Sequence, residues 1–178
     1  MKAIILAAGR GTRLRKDFNV EHKSLLKINN ISLIKRQIQI LRKNNVKDIW
    51  IVTGYNASKI KEELLEMNVK FIHNKNFERS DTLESFLTTK HLMNGEMITL
   101  YSDVVFQEQI INNLLLEKKS EILLKIDKSK CKIDDMKTIV EENLVKRIEK
   151  KLSNDIANSK YIGIAKFSKY GTKVFREI

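Results

Sequence analysis

The stretch ILAAGRGTRL, residues 4–13, places two glycines, a threonine and an arginine directly after an apolar run. Glycine permits a positive φ and a close approach of the backbone to a ligand. Successive backbone N–H groups in such a loop form an anion-binding concavity, and the guanidinium of Arg13 can add charge-assisted hydrogen bonds. The stretch matches neither G-x-x-x-x-G-K-[ST] nor G-x-G-x-x-G, because position 14 is leucine. Spacing alone therefore favours a phosphate-binding loop and a structural turn about equally.

The elements that must position this loop alternate along the chain. Short runs of β-branched and aromatic residues predict strands, and apolar residues at helical spacing predict helices. The predicted strands are 2–7, 47–53, 69–72, 96–101, 121–126 and 161–168, and the predicted helices are 31–43, 57–67, 82–93 and 107–116. A hairpin is predicted over 137–150, turning at Glu142–Asn143. This order predicts an α/β fold: a three-layer, Rossmann-like, mostly parallel sheet with helices on both faces and a small β-hairpin addition. Ligands of such sheets bind beyond the carboxyl ends of the strands.

Composition narrows the class of protein. The chain has 178 residues with 42% hydrophobic and 31% charged residues, which is typical of one soluble domain. No apolar run approaches the ~20 residues of a membrane span, and the start MKAIILAAG is too short for a signal peptide. The single cysteine, Cys131, fits a reducing cytoplasm. The net charge of +12 is spread along the chain rather than clustered, with few interleaved aromatics, so a nucleic-acid partner is not expected.

The segment LAAGRGTRL followed by HKSLLKINNISLI resembles the signature of the nucleotidyltransferase superfamily, in its sugar-phosphate nucleotidyltransferase-like form: L-A-A-G-x-G-[ST]-R-L, then P-K-x-L. Further segments fit that family in order, namely IVTGY, SDTLESFLTTKHL, LYSDVVF and YIGIAKFS. YSDVVF, IEKK and YIGIAKFS are most similar to the small cytidylyltransferases, which make CDP-linked choline, 2-aminoethylphosphonate or related head groups. Sugar-phosphate nucleotidyltransferases are close cousins. The resemblance implies a single nucleotidyltransferase domain over 1–178.

The resemblance also implies a reaction. CMP, or another NMP, would pass from an NTP to a phosphorylated or phosphonate small molecule, with release of pyrophosphate and with Mg²⁺ as cofactor. The acceptor oxygen is already ionised near neutral pH, so catalysis is positioning and charge neutralisation without a general base. The implied partners are CTP (or another NTP) and a small phosphate or phosphonate acceptor, with no membrane.

Site roles follow by the same resemblance. Arg13 would neutralise the leaving pyrophosphate, Lys23 would contact the α-phosphate or the acceptor phosphate, and Asp103 would hold Mg²⁺. The residues expected to hold the nucleotide or acceptor are Leu6, Ala7, Ala8, Gly9, Gly11, Thr12, Gly54, Tyr55, Ser80, Asp81 and Thr82. Several have a structural alternative: Lys23 could be one surface lysine among many, and Asp103 could cap a helix. Gly54 and Tyr55 could form only a turn, and residues 80–82 could cap the helix that follows. Glu84, at the start of that helix, could meet a cationic head group, and relatives suggest Lys150, or its neighbour Lys151, for the acceptor phosphate.

Three departures from the family pattern qualify these expectations. His22 stands where relatives carry proline, and losing that ring is expected to loosen the Lys23 loop. Ser159–Lys160 replaces the usual Gly-Glu, which suggests a different acceptor. No late aspartate is present as a second metal ligand, so the chain is expected to lack the family's usual C-terminal segment. The alternative is a catalytically incomplete nucleotide-binding or regulatory homologue, and apolar surface left by a missing segment would allow a homo-oligomer.

Overall fold

The fold is built around an eight-stranded sheet, here described from a computed structural model covering residues 1–11 and 21–177. The strands are β1 (Lys2–Ala7), β2 (Lys27–Ile28), β3 (Ile31–Ser32), β4 (Asp48–Thr53), β5 (Lys70–His73), β6 (Met97–Tyr101), β7 (Ile122–Asp127), β8 (Met136–Glu141), β9 (Leu144–Glu149) and β10 (Ser159–Phe167). The α-helices of the described residues are α1 (Leu33–Lys43), α2 (Ala57–Glu63), α3 (Thr82–Leu87), α4 (Glu108–Leu116) and α5 (Lys169–Glu177).

The sheet has a parallel half and an antiparallel half. Its order is β5-β4-β1-β6-β10-β8-β9, with β7 also paired to β10. Strands β5, β4, β1 and β6 run parallel, with Ile5 of β1 opposite Ile51 and Leu100. Strand β10 returns antiparallel to β6, so that Ile164 lies opposite Leu100. The first residues of β10 therefore lie on the side of the sheet where β6 ends.

Helices cover both faces, which confirms the three-layer prediction. On one face α1, α2 and α4 pack against the sheet through a cluster that includes Ile5, Ile38 and Ile98. On the other face a smaller cluster contains Phe86 of α3 and Phe167 of β10, whose ring centroids are 5.7 Å apart. Both clusters are close to fully buried, and this burial of apolar surface is the main force holding the layers together.

Element boundaries differ from the predictions in specific places. The helix predicted over 82–93 ends at Leu87 and gives way to a 3₁₀ helix at Lys90–Leu92. The Thr89 hydroxyl donates to the Phe86 carbonyl at 2.6 Å, a local bond that competes with helix continuation. The two-residue hairpin β2–β3 and helix α5 were not predicted. Within residues 1–11 and 21–177, no helix has both the length and the apolar character needed to cross a lipid bilayer.

Candidate functional site

The predicted site residues gather at the carboxyl edge of the parallel strands. The glycine loop follows β1, Gly54 and Tyr55 follow β4, the 74–81 loop follows β5, and Asp103 follows β6. Because β1 lies between β4 and β6, these connections meet above the centre of the sheet. This is the position at which open α/β sheets bind ligands.

The glycine loop is held by β4 and leaves space above itself. The Tyr55 N–H donates to the Ala8 carbonyl at 3.1 Å. Gly54 is buried, and a Cβ there would lie 2.7 Å from the Ala8 carbonyl oxygen and 2.4 Å from Phe77 Cβ. By contrast, a Cβ on exposed Gly9 would meet no atom of residues 1–11 and 21–177 within 4 Å. The close packing of Gly54 supports the loop from below, while Gly9 faces open space that a ligand could enter.

The loop after β5 is tied to the glycine loop and to the start of α3. Arg10 forms an ion pair with Glu78. The Ser80 hydroxyl accepts from the Asn74 side chain at 2.7 Å. Asp81 caps α3 by accepting from the Glu84 N–H, and Glu84 accepts in return from the Asp81 N–H, both at 2.8 Å. The capping alternative is therefore confirmed for this segment, and Glu84 is engaged in the cap.

For the other predicted nucleotide-binding residues at this edge, the structure gives their position and exposure. Thr82 is exposed at the first position of α3. Leu6 is half-buried, and Ala7 and Ala8 are buried where β1 ends. The predicted residues Thr12 and Arg13 lie outside the described residues. Nucleotide contacts by all of these positions stay predictions.

Lys23 is held beside the glycine loop by a histidine that occupies the family's proline position. His22 has φ −153°, which a proline fixed near about −65° could not adopt. Its Nδ1 accepts from the Ser24 N–H at 3.2 Å and lies 2.8 Å from Ser24 Oγ. His22 is 2% exposed, and burial lowers its pKa, while the Gly9 backbone and Asp103 oppose the shift. A capping side chain therefore stands where relatives carry the proline ring, and the expected loosening of the Lys23 loop stays a prediction.

Lys23 and Asp103 face each other across the site. Lys23 Nζ donates to Asp103 Oδ2 at 3.2 Å, and the two side chains are 27% and 38% exposed. The aliphatic stem of Lys23 lies on Gly11, which has φ +56° and whose Cβ, if present, would be 2.7 Å from Lys23 Cγ. The ion pair brings together the predicted catalytic lysine and the predicted metal ligand, and it shows that Asp103 accepts a cation in this position.

The donor set can be tested against Mg²⁺ at Asp103. The carboxylate is exposed, accepts from a cation, and lies at the sheet edge, which suits an ion held by one or two carboxylates, substrate phosphates and water. No group of three or more His, Cys, Asp or Glu side chains that could hold a metal occurs among the described residues. Asp103 therefore fits a magnesium ion shared with a triphosphate, but not a site made by protein ligands alone.

Sequence reasoning missed a glutamine beneath this site. Gln37, 1% exposed on α1, donates through Nε2 to the Tyr101 carbonyl at 2.9 Å and to the Val104 carbonyl at 2.8 Å. Those two carbonyls bracket Asp103. The available signal was a polar residue on the apolar helix face defined by Ile34, Ile38 and Leu41.

An aromatic pair borders Asp103 on the antiparallel side. The rings of Tyr101 and Tyr161 meet edge to face with centroids 5.6 Å apart. Tyr101 also packs on Gly163, where φ is +82° and a Cβ would lie 2.5 Å from the ring. Burial, with smaller contributions from Asp103 and Asp81, raises the pKa of Tyr101 to about 12.

Strand β10 and the loop before it carry several lysines. Lys160 is paired with Asp135 at 3.2 Å and with Asp127 at 3.6 Å, so its charge is compensated by protein carboxylates. Lys150 and Lys151 line a groove of about 630 Å³ together with the buried Lys137. The Lys137 ammonium donates to the Lys150 carbonyl at 3.1 Å, which fixes the groove wall. Lys150 and Lys151, the two lysines suggested for the acceptor phosphate, therefore lie in the wall of this groove.

Comparison with known proteins identifies the family of the chain. Residues 3–125 match the MobA-like NTP transferase domain. A CTP:phosphoglutamine cytidylyltransferase of Campylobacter jejuni is 27% identical over 186 residues, covering 94% of this chain and 73% of that protein. A choline-phosphate cytidylyltransferase of Haemophilus influenzae is 32% identical over 110 residues, covering 62% of this chain and 47% of that protein.

Solved structures share the fold. The inositol-1-phosphate CTP transferase from T. maritima has a TM-score of 0.81 at 22% identity, covering 99% of this chain and 74% of that chain. The CTP:phosphocholine cytidylyltransferase from Streptococcus pneumoniae has a TM-score of 0.75 at 23% identity, covering 98% and 74%. At these identities the likeness establishes the three-layer architecture and the mostly parallel central sheet.

Proposed function

The chain belongs to the MobA-like NTP transferase domain family of nucleotidyltransferases, and we propose that it transfers CMP from CTP to a small phosphate- or phosphonate-bearing acceptor. The observation that carries the proposal is the Lys23–Asp103 pair beside the glycine loop. One loop offers backbone N–H groups to phosphates, one cation is ready for a phosphate oxygen, and one carboxylate is ready for a metal ion.

In the proposed reaction, an anionic oxygen of the acceptor attacks the α-phosphorus of CTP. A phosphorus–oxygen bond forms to the acceptor, and the bond from the α-phosphorus to the bridging oxygen breaks. Pyrophosphate leaves with that electron pair. Lys23 exchanges Asp103 for a phosphate oxygen and neutralises charge that builds up at the α-phosphate. The predicted role of Arg13 is to neutralise the pyrophosphate. No proton transfer is required of the protein.

Asp103 is the residue that would hold magnesium. When bound, the ion supplies charge neutralisation on the triphosphate oxygens. The protein's own contribution is geometric: the glycine loop leaves space at Gly9, and Asp103 approaches from the neighbouring strand. Holding reactants in a near-attack arrangement is the main catalytic resource when the nucleophile is already ionised.

The choice of CTP and of the acceptor rests on the relatives. Both relatives and both structures described above are named as cytidylyltransferases or as a CTP transferase. Lys150 and Lys151 lie at the groove proposed for the acceptor phosphate. The Tyr101–Tyr161 rings offer aromatic surface suited to a positively charged part of the acceptor.

A second candidate function is nucleotide binding without turnover. It is favoured by the donor set at Asp103, because no cluster of metal-binding side chains occurs in residues 1–11 and 21–177. A protein of this kind would bind CTP through the glycine loop and release no pyrophosphate.

The test is magnesium-dependent pyrophosphate release. The four NTPs are crossed with phosphocholine, 2-aminoethylphosphonate, phosphoethanolamine and several sugar 1-phosphates. Release is expected with CTP and one acceptor class. Lys23→Ala is expected to lower kcat/KM by about 10²-fold or more, the usual effect of losing one preorganised charge at a transition state. Lys27→Ala removes an exposed lysine four residues away and is expected to keep full activity.

Two results would contradict the proposal. Full activity in Lys23→Ala would remove the residue on which the chemistry depends. Absence of release across all pairs, combined with CTP binding measured by calorimetry, would favour the non-catalytic homologue.

A further inference from the structure

Gln37 is a buried polar side chain in an otherwise apolar helix face. It projects from α1 between Ile34 and Leu41, which are both fully buried against the sheet. Burying an amide costs free energy unless its hydrogen bonds are replaced. A leucine at this position would avoid that cost. The presence of glutamine is therefore explained by the groups to which its amide is hydrogen-bonded.

Both hydrogen bonds of the amide go to one backbone turn. Nε2 donates to the Tyr101 carbonyl at 2.9 Å and to the Val104 carbonyl at 2.8 Å. The turn is closed weakly by its own bond, from the Val104 N–H to the Tyr101 carbonyl at 3.3 Å. The Oε1 atom is buried and has no hydrogen-bond partner within the described residues. The amide orientation is fixed, because carbonyl oxygens can only accept.

Asp103 depends on this turn for its direction. It is the third residue of the four from Tyr101 to Val104, and its carboxylate meets Lys23 at 3.2 Å. In the proposed reaction Lys23 exchanges Asp103 for a phosphate oxygen, and the ion pair would then no longer direct the carboxylate during turnover. The adjacent Ser102 N–H donates to the Leu6 carbonyl at 3.1 Å and holds the first half of the turn to β1. Gln37 holds both ends.

We propose that Gln37 is a positioning residue that fixes the Tyr101–Val104 turn, so that Asp103 presents its carboxylate to a divalent cation bound with the nucleotide. This inference rests on the proposed function. It assigns a role in metal binding to a side chain that does not itself contact substrate or metal. Residues that orient a ligand carboxylate from behind typically change metal affinity or activity by about 10–100-fold when removed.

The experiment compares two glutamines of one helix. Gln37→Met keeps a similar volume and removes both donors. Gln39→Met makes the same change at an exposed position of α1 and serves as the matched control. Each full-length protein is measured in three ways: hydrogen exchange of the Val104 amide, Mn²⁺ affinity by electron paramagnetic resonance with CTP present, and the kcat and KM for CTP.

Gln37→Met is expected to increase exchange at Val104, to weaken Mn²⁺ binding by about 10-fold or more, and to lower kcat more than it raises KM. Gln39→Met is expected to match wild type in all three. Should Gln37→Met not fold, Gln37→Leu supports the same comparison against Gln39→Leu, because leucine removes both donors without burying an unsatisfied polar group.

The outcomes separate the two proposals. Unchanged Mn²⁺ affinity in a folded Gln37 variant overturns the positioning role, whatever happens to stability. Absence of Mn²⁺ binding to wild type with CTP also overturns it. Mn²⁺ binding by wild type that weakens in the Gln37 variant, without turnover for any acceptor, supports the positioning role while contradicting the proposed function.

Discussion

Replacing the two loop glycines by alanine, one at a time, should affect different properties: the stability of the free protein at Gly11 and nucleotide binding at Gly9. Gly11 has φ +56°, and its Cβ would lie 2.7 Å from Lys23 Cγ and 2.9 Å from Lys23 Cε. At Gly9, no atom of the part of the chain that the structure describes lies within 4 Å of the corresponding position. Gly11→Ala is therefore expected to destabilise the free protein and displace Lys23. Gly9→Ala is expected to leave the free protein intact and to obstruct the nucleotide.

The magnitude follows from the backbone conformation. A non-glycine residue in the left-handed region costs roughly 1–2 kcal/mol, and the Lys23 stem must move as well. For a protein of this size each kcal/mol lowers Tm by about 2–4 °C, so Gly11→Ala should lower Tm by roughly 2–8 °C. Gly9→Ala should change stability by less than about 0.5 kcal/mol, as most surface substitutions do.

Thermal unfolding and CTP titration together test this pair. Gly11→Ala should lower Tm in the absence of nucleotide. Gly9→Ala should keep its Tm while losing CTP affinity and the rise in Tm that CTP gives to wild type. Equal Tm values for Gly11→Ala and wild type would refute the strain argument. Unchanged CTP affinity in Gly9→Ala would refute the assignment of the space above the loop to the nucleotide.

Three further predictions concern the same edge of the sheet. Gly54→Ala should cost about 1–3 kcal/mol in denaturant unfolding, since its Cβ would lie 2.7 Å from a backbone oxygen, whereas Gly95→Ala, in open space, should cost less than about 0.5 kcal/mol; equal costs would contradict the packing argument. Asp103→Asn should change the free energy of unfolding by only about 0–1 kcal/mol, because the pair with Lys23 is partly exposed. The same variant should lose Mn²⁺ binding as measured by electron paramagnetic resonance with CTP present. Retained Mn²⁺ binding would exclude Asp103 as a ligand. The pKa of His22 is lowered in the folded protein, so as the pH falls the unfolded chain protonates this imidazole near about pH 6.5 while the folded chain does not. The free energy of unfolding should therefore fall between about pH 7 and pH 5. A His22→Asn variant whose free energy of unfolding depends on pH with the same slope as wild type would contradict this.

Local sequence signals predicted most of the parallel half of the fold. Strand β1 and its glycine loop could be located because an apolar run ends at residues that permit unusual backbone angles. The β8–β9 turn was located correctly at Glu142–Asn143, where φ is 49° and 64°, as a tight two-residue hairpin requires. The pairing of β10 with β6 could not be read locally, because a pairing across some sixty residues leaves no periodic signal in either strand.

The sequence predicted which residues belong to the candidate site better than it predicted which of them contact each other. Asp103 and Lys23 were both expected at the site, but their pairing depends on a distance across 80 residues of sequence. The expected loosening at His22 stays a prediction, and the cap that His22 forms with the Ser24 N–H could not be foreseen, because composition does not reveal which partner a side chain finds. Gln37 was visible as a polar residue on an apolar face, yet its partners are backbone atoms of another segment.

The ion pair between Lys23 and Asp103 also bears on how nucleotide and metal ion would bind under the proposed function. Without ligands, each charge compensates the other at 3.2 Å. A triphosphate that recruits Lys23 would leave Asp103 uncompensated, and a cation at Asp103 would leave Lys23 free. Because each ligand restores the partner that the other displaces, binding of one should raise the affinity for the other, and this coupling is reciprocal by thermodynamic necessity. A site with a single suitable carboxylate can thus select the metal–nucleotide complex over either component.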